Sequence, residues 1–121
     1  MKIKRLKDCK QFIAGDNSLL REILNPHKER LELNYSLACA KVKPGKMTLK
    51  HRLKYSEVYF ILKGKGILYI DKEKKIVNPS DTVYIPPGSI QRIKNIGKKD
   101  LEFLCIVEPA WVLECEEVFK E

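Results

Sequence analysis

From Asn34 onward, apolar and polar positions alternate in short runs that end at turn residues. The runs YSLACAKV, EVYFIL, ILYI, KIV, TVYI, QRI and LEFLCIV are rich in β-branched and aromatic side chains; KPGK, KGKG, DKEK, NPSD, PPGS and NIGKKD separate them. Branched and aromatic residues suit a pleated, half-buried surface, while Gly, Pro, Asn and Asp supply the angles of tight turns. This rhythm predicts an all-β sandwich or barrel of about seven strands. Residues 1–34 read differently. In GDNSLLREILNP, the capping-type residues Asp16, Asn17 and Ser18 precede a short apolar-periodic run that stops at Pro26, which predicts a brief helix. The expected organisation is an N-terminal segment with a short helix (1–34), a barrel (35–110) and a C-terminal extension (111–121) packed on the barrel or on a partner subunit.

Composition narrows the class. The chain has 121 residues, 44% apolar and 33% charged, enough for one domain with a modest core. No apolar run approaches the roughly 20 residues that span a bilayer, and MKIKRLKDCKQF lacks the hydrophobic stretch of a signal peptide. A cytoplasmic location is expected, with no membrane partner. None of Cys9, Cys39, Cys105 and Cys115 forms a CxxC pair, so a zinc ribbon or thioredoxin-type motif is excluded. The formal net charge of +8 would suit an anionic partner. Its lysines, however, are spread through nearly every turn instead of forming a basic stripe interleaved with aromatics, which argues against nucleic acid. Abundant Lys and Glu also fits a heat-adapted surface.

Two stretches carry the candidate chemistry. Gly45, His51, Glu57 and Gly64 form one spaced set; SDTVYIPPGSIQRIKN, residues 80–95, places Pro86, Gly88 and Asn95 in another. In order, internal spacing and compact gap, the two closely resemble the paired motifs of the cupin superfamily, over about residues 35–110. The stretches YSLACAKVKPG and LEFLCIVEPAW resemble small single-domain conserved-barrel cupins and the barrel portion of mannose-6-phosphate isomerase/guanylyltransferase proteins. The resemblance implies a double-stranded β-helix, the jelly-roll cupin barrel, in agreement with the strand rhythm.

It also implies a site. Residues two apart on a strand share a face, so His51 and Leu53 look into the barrel, and Glu57 enters from the next strand after the Lys54–Ser56 turn. Tyr59 shares the face of Glu57, and Ile93 that of Gln91. The expected ligand pocket is therefore His51, Leu53, Glu57, Tyr59, Gln91 and Ile93. Metal-binding cupins carry further histidines at the positions of Leu53 and Gln91. An alkyl chain and a neutral amide here remove the nitrogen donors that favour transition metals. If a divalent metal (Zn, Fe, Mn or Ni) is held, His51, Glu57 and Gln91 are its ligands. Two functions follow: a cupin binding a small polar metabolite, a sugar or a carboxylate, with weak or no metal binding, or a metal-dependent dioxygenase, isomerase or decarboxylase with Glu57 as the candidate catalytic base.

The remaining residues have plainer expectations. Arg52 faces outward, Cys39 and Cys105 are packing residues, His27 lies in a solvated loop, and Glu114, Glu116 and Glu117 form a solvated acidic face. Trp111 caps the barrel mouth or anchors the C-terminal segment. Open sheet edges on so short a chain predict a homodimer.

Overall fold

Burial along the strands follows the alternation of residue type. In Leu101–Glu108, the side chains of Leu101, Phe103, Cys105 and Val107 are buried and those between them are not; Ser56–Lys63 buries Glu57, Tyr59 and Ile61 in the same way. The computed structural model describes residues 1–120, and among these it contains β1 (Gln11–Ile13), β2 (Leu19–Leu24), β3 (Ser36–Val42), β4 (Lys50–Leu53), β5 (Ser56–Lys63), β6 (Gly66–Ile70), β7 (Glu73–Val77), β8 (Thr82–Ile85), β9 (Gln91–Asn95), β10 (Leu101–Glu108) and β11 (Glu116–Phe119). They form two antiparallel sheets, ordered β1-β2-β3-β10-β5-β8 and β11-β4-β9-β6-β7. The inward faces meet to form the core of a jelly roll.

That core has two parts. Ile61, Phe103, Ile85, Ile93 and Leu101 are each at most 2% exposed and fill one end, where the Tyr59 and Phe103 rings lie 4.5 Å apart. Truncating any of these aliphatics to Ala removes about 2–5 kcal/mol, by lost transfer energy and the cavity left behind. A smaller cluster of Leu53, Val107 and Cys115, with Tyr55, Trp111 and Val112 against it, closes the other end.

Two motif residues serve the barrel itself. Gly64 has φ 89°, and a Cβ there would sit 2.8 Å from the Asp100 carbonyl oxygen and the Leu101 Cα, so both conformation and space demand glycine. Asn95 is wholly buried; its Nδ2 donates to the carbonyls of Val42 and Lys99, both at 2.8 Å, and its Oδ1 accepts from the Gly97 amide at 2.8 Å. It fastens the β9–β10 turn to β3.

The helix expected in GDNSLLREILNP does not form. Residues Leu19–Leu24 are β2, paired with β1 and β3. The Asp-Asn-Ser cluster instead closes the β1–β2 hairpin: Asn17 has φ 74°, the Ser18 amide and hydroxyl both donate to Asp16 Oδ1 at 3.0 and 2.7 Å, and the Ala14 amide donates to the Ser18 carbonyl at 2.8 Å. Residue types that cap a helix also close a tight turn, and strand pairing on both sides of β2 decides between them. Helical structure among the described residues is limited to single 3-10 turns at Leu6–Asp8 and Leu113–Cys115. After the second turn, β11 pairs with β4, bringing Val118 opposite His51. The C-terminal extension thus lies on the barrel of its own chain.

Candidate functional site

His51 sits at the centre of β4, between Val118 of β11 and Gln91 of β9. It is 4% exposed, and its Nδ1–H donates to the Leu49 carbonyl at 3.0 Å. A carbonyl only accepts, so this bond fixes the ring and leaves Nε2 for the barrel interior. There Nε2 lies 3.7 Å from Asp16 Oδ2, too long for a direct hydrogen bond.

Glu57 enters from β5 and is 6% exposed. Its Oε1 accepts from Gln91 Nε2 at 2.9 Å, and the Gln91 Oε1 accepts the Tyr59 hydroxyl at 2.6 Å. Burial pushes the Glu57 carboxyl up to about 7, against the opposing influence of the Gln91 bond and of His51, and with a further push from Asp16 and Glu116. Burial likewise holds the Tyr59 hydroxyl and the Cys105 thiol well above their usual ranges. Cys105 is a packing residue at neutral pH, and Cys39, raised by the same cause, is another.

These groups border a cavity of about 180 Å³, room for roughly six waters. His51, Leu53, Glu57 and Tyr59 line it; so do Ala38, Ala40, Phe103 and Val107, which make most of the wall apolar. Gln91 and Ile93 are placed differently. Gln91, 1% exposed, stands behind Glu57 and Tyr59 and orients them, and Ile93 belongs to the hydrophobic core. Arg52 faces outward to Glu117, with Nη2 2.7 Å from Oε1. His27 is exposed.

Asp16, Glu116 and Trp111 line the same cavity from outside the two motifs. The Leu49 amide donates to the Asp16 carbonyl at 2.8 Å, which carries the hairpin turn over the mouth. Trp111 Nε1–H donates to Glu116 Oε1 at 2.9 Å, and burial raises the Glu116 carboxyl. Glu22 and Lys28 complete the rim as an ion pair at 2.7 Å, with the Lys28 ammonium 5.9 Å above the Trp111 ring. The acidic tail therefore contributes Glu116 to the site, a correction to its reading as a wholly solvated face. The signal was the alternation in EEVF, where Glu116 and Val118 share one face. For Asp16 the only signal was its place beside a paired strand.

The donor set does not fit a tightly held transition metal. Leu53 offers no donor, the Gln91 oxygen is already taken by Tyr59, and among the described residues no three of His, Cys, Asp or Glu are grouped to hold a metal ion.

The cupin domain model matches residues 39–107, more than half the chain. This chain belongs to the cupin family. An uncharacterized protein of Methanocaldococcus jannaschii is 39% identical over 112 residues, covering 92% of this chain and 89% of the relative. The glucose-6-phosphate isomerase of Pyrococcus furiosus is 29% identical over 80% of this cupin, which spans 59% of that enzyme. Among solved structures, a predicted oxalate decarboxylase from Thermotoga maritima superposes with a TM-score of 0.78 at 20% identity, over 89% of this chain and 99% of that one. At that identity the likeness concerns the fold. Among the described residues, no helix of this cupin is long and apolar enough to cross a membrane.

Proposed function

We propose that this cupin binds a small hydroxyl-bearing metabolite of the sugar class in its barrel and holds metal weakly or not at all. The observation that carries this reading is the balance of hydrogen-bonding groups in the cavity. Asp16, Glu57 and Glu116 present acceptors on an otherwise apolar wall, and the one lysine lining it, Lys28, is engaged by Glu22. Hydroxyl groups donate to such oxygens, and the apolar wall accepts ring C–H surface. A carboxylate ligand would face three acidic groups whose ionised forms repel it, so of the two ligand classes the sequence offers, the sugar is favoured. The Pyrococcus furiosus relative is named for a sugar phosphate; its sugar portion supports the same class, whereas a phosphate would meet the same repulsion here as a carboxylate.

A second reading, acid–base catalysis on that ligand, is favoured by Glu57 alone. A carboxyl near 7 facing the cavity is poised to take and return a proton at neutral pH. Differential scanning fluorimetry with glucose and with oxalate tests the binding reading. Glucose is expected to raise Tm in the parent and not in Glu57→Ala; stabilisation by oxalate alone would overturn it.

A further inference from the structure

The three carboxyls share an arrangement that neither motif encodes. Each has one oxygen tied down by an internal donor: Asp16 Oδ1 by Ser18, Glu57 Oε1 by Gln91, and Glu116 Oε1 by Trp111. Among the described residues, no hydrogen bond is made to the second oxygen of each. The carboxyls come from three separate segments, the β1–β2 turn, β5 and β11, and line one small cavity with His51, whose Nε2 has no hydrogen-bond partner among the described residues. Since Glu22 and Lys28 neutralise one another at the rim, the interior holds three acidic groups against a single imidazole.

We propose that the free oxygens of Asp16, Glu57 and Glu116 form a subsite for a primary ammonium group, so that the ligand is an amino-bearing polyol of amino-sugar type. This rests on the reading of the barrel as a sugar-class site and adds the charge of the ligand. An ammonium offers three donors to a cavity lined by three acidic side chains, and its charge compensates carboxylates that are costly to bury alone. Charge-assisted bonds from N⁺–H to carboxylate are also stronger than the hydroxyl bonds a neutral sugar would make. The hydroxyls and ring carbons are left for His51 and the wall formed by Leu53, Val107 and Trp111. A metal ion is the competing cation, but each carboxyl has only one oxygen to give, the other being held by a neutral donor.

Isothermal titration of the parent with glucosamine, glucose and calcium chloride separates these occupants. Glucosamine is expected to bind at least about tenfold more tightly than glucose. In Asp16→Asn and Glu116→Gln the anchored oxygen is kept and the free one becomes a donor. Each is expected to lose glucosamine affinity by about tenfold and glucose affinity by clearly less, so that the preference for the amine falls. Equal affinity for glucosamine and glucose would overturn the ammonium subsite and leave the sugar-class reading standing. Calcium binding without a glucosamine response would overturn it in favour of a metal, and a glucosamine response unchanged in both variants would place the amine elsewhere.

Discussion

Tyr59 and Glu57, neighbours on the inner face of β5, are joined through one side chain on the opposite sheet: the Tyr59 hydroxyl donates to Gln91 Oε1 at 2.6 Å, and Gln91 Nε2 donates to Glu57 Oε1 at 2.9 Å. A tyrosine hydroxyl held at the amide oxygen turns the amide N–H toward the carboxyl, so Tyr59 determines which face of Gln91 the acid meets. All three side chains are buried, which makes each missing partner expensive.

Tyr59→Phe removes the hydroxyl and leaves the buried Gln91 oxygen without a donor. The expected loss of stability is about 1–3 kcal/mol. Urea denaturation measures it, and a loss below about 0.5 kcal/mol would mean that water replaces the hydroxyl at no cost.

Leu53→His places an imidazole beside His51, on the same face of β4 and lining the same cavity. Zinc or nickel affinity is expected to rise by at least about tenfold over the parent, because two histidines and Glu57 then supply the donors that the natural set lacks. Titration of metal-stripped protein reads the change. The substitution also removes an alkyl chain packed on Val107 and Cys115, so a fall in thermal stability without metal, recovered with it, is part of the same expectation.

What was legible in the chain was whatever local pattern controls. Period-two alternation showed the strands from Ser36 to Glu108 except β4, which only the motif placed, and motif spacing with strand parity put His51, Leu53, Glu57 and Tyr59 on inward faces that line one cavity. Asp16 and Glu116 were hidden because their positions depend on distant partners. The Asp16 carbonyl is held by the Leu49 amide, and Gly15 beside it is close enough to β11 that an added Cβ would lie 3.5 Å from Val118 Cγ2. The helix expected over LLREIL failed for the same reason: every residue of β2 is half-buried, so no face stands out in the sequence, and pairing with β1 and β3 sets its conformation. Gln91 shows the limit of parity. It points inward as expected, yet Glu57 and Tyr59 stand between it and the cavity.

The outer strand of the six-stranded sheet, β1, leaves one edge unpaired, and it exposes Ile13 (71%) and Phe12 (40%). Exposed apolar edges invite pairing with another chain. A homodimer of about 28 kDa, twice the 14.1 kDa chain, is expected by sedimentation equilibrium at micromolar concentration, shifting toward monomer in Ile13→Lys. A 14.1 kDa species in the parent would count decisively against it.

Stability should fall as pH rises between about 4.5 and 7, opposite to the usual behaviour of a salt-bridged carboxylate. The sign follows from proton counting. Burial raises Glu57 from 4.5 to about 7 in the folded chain, so across that window the native state holds a proton that the unfolded state has released. Raising the pH therefore favours unfolding, and the contribution is fully present below the unfolded value and lost through the folded one. At about 1.4 kcal/mol per unit, Glu57 accounts for roughly 3 kcal/mol over the window. Glu116 is shifted in the same direction, whereas Glu29, lowered by its bonds to Lys4 and Lys2, acts in the opposite one. A difference measurement isolates Glu57 from both. Glu57→Gln keeps an acceptor for Gln91 and cannot ionise, so its stability is expected to change less from about pH 5 to pH 8, exceeding the parent at the upper end. Urea denaturation at both pH values on both proteins gives the comparison. Parallel pH profiles would show that Glu57 titrates normally and that Gln91 and His51 hold it charged in the fold.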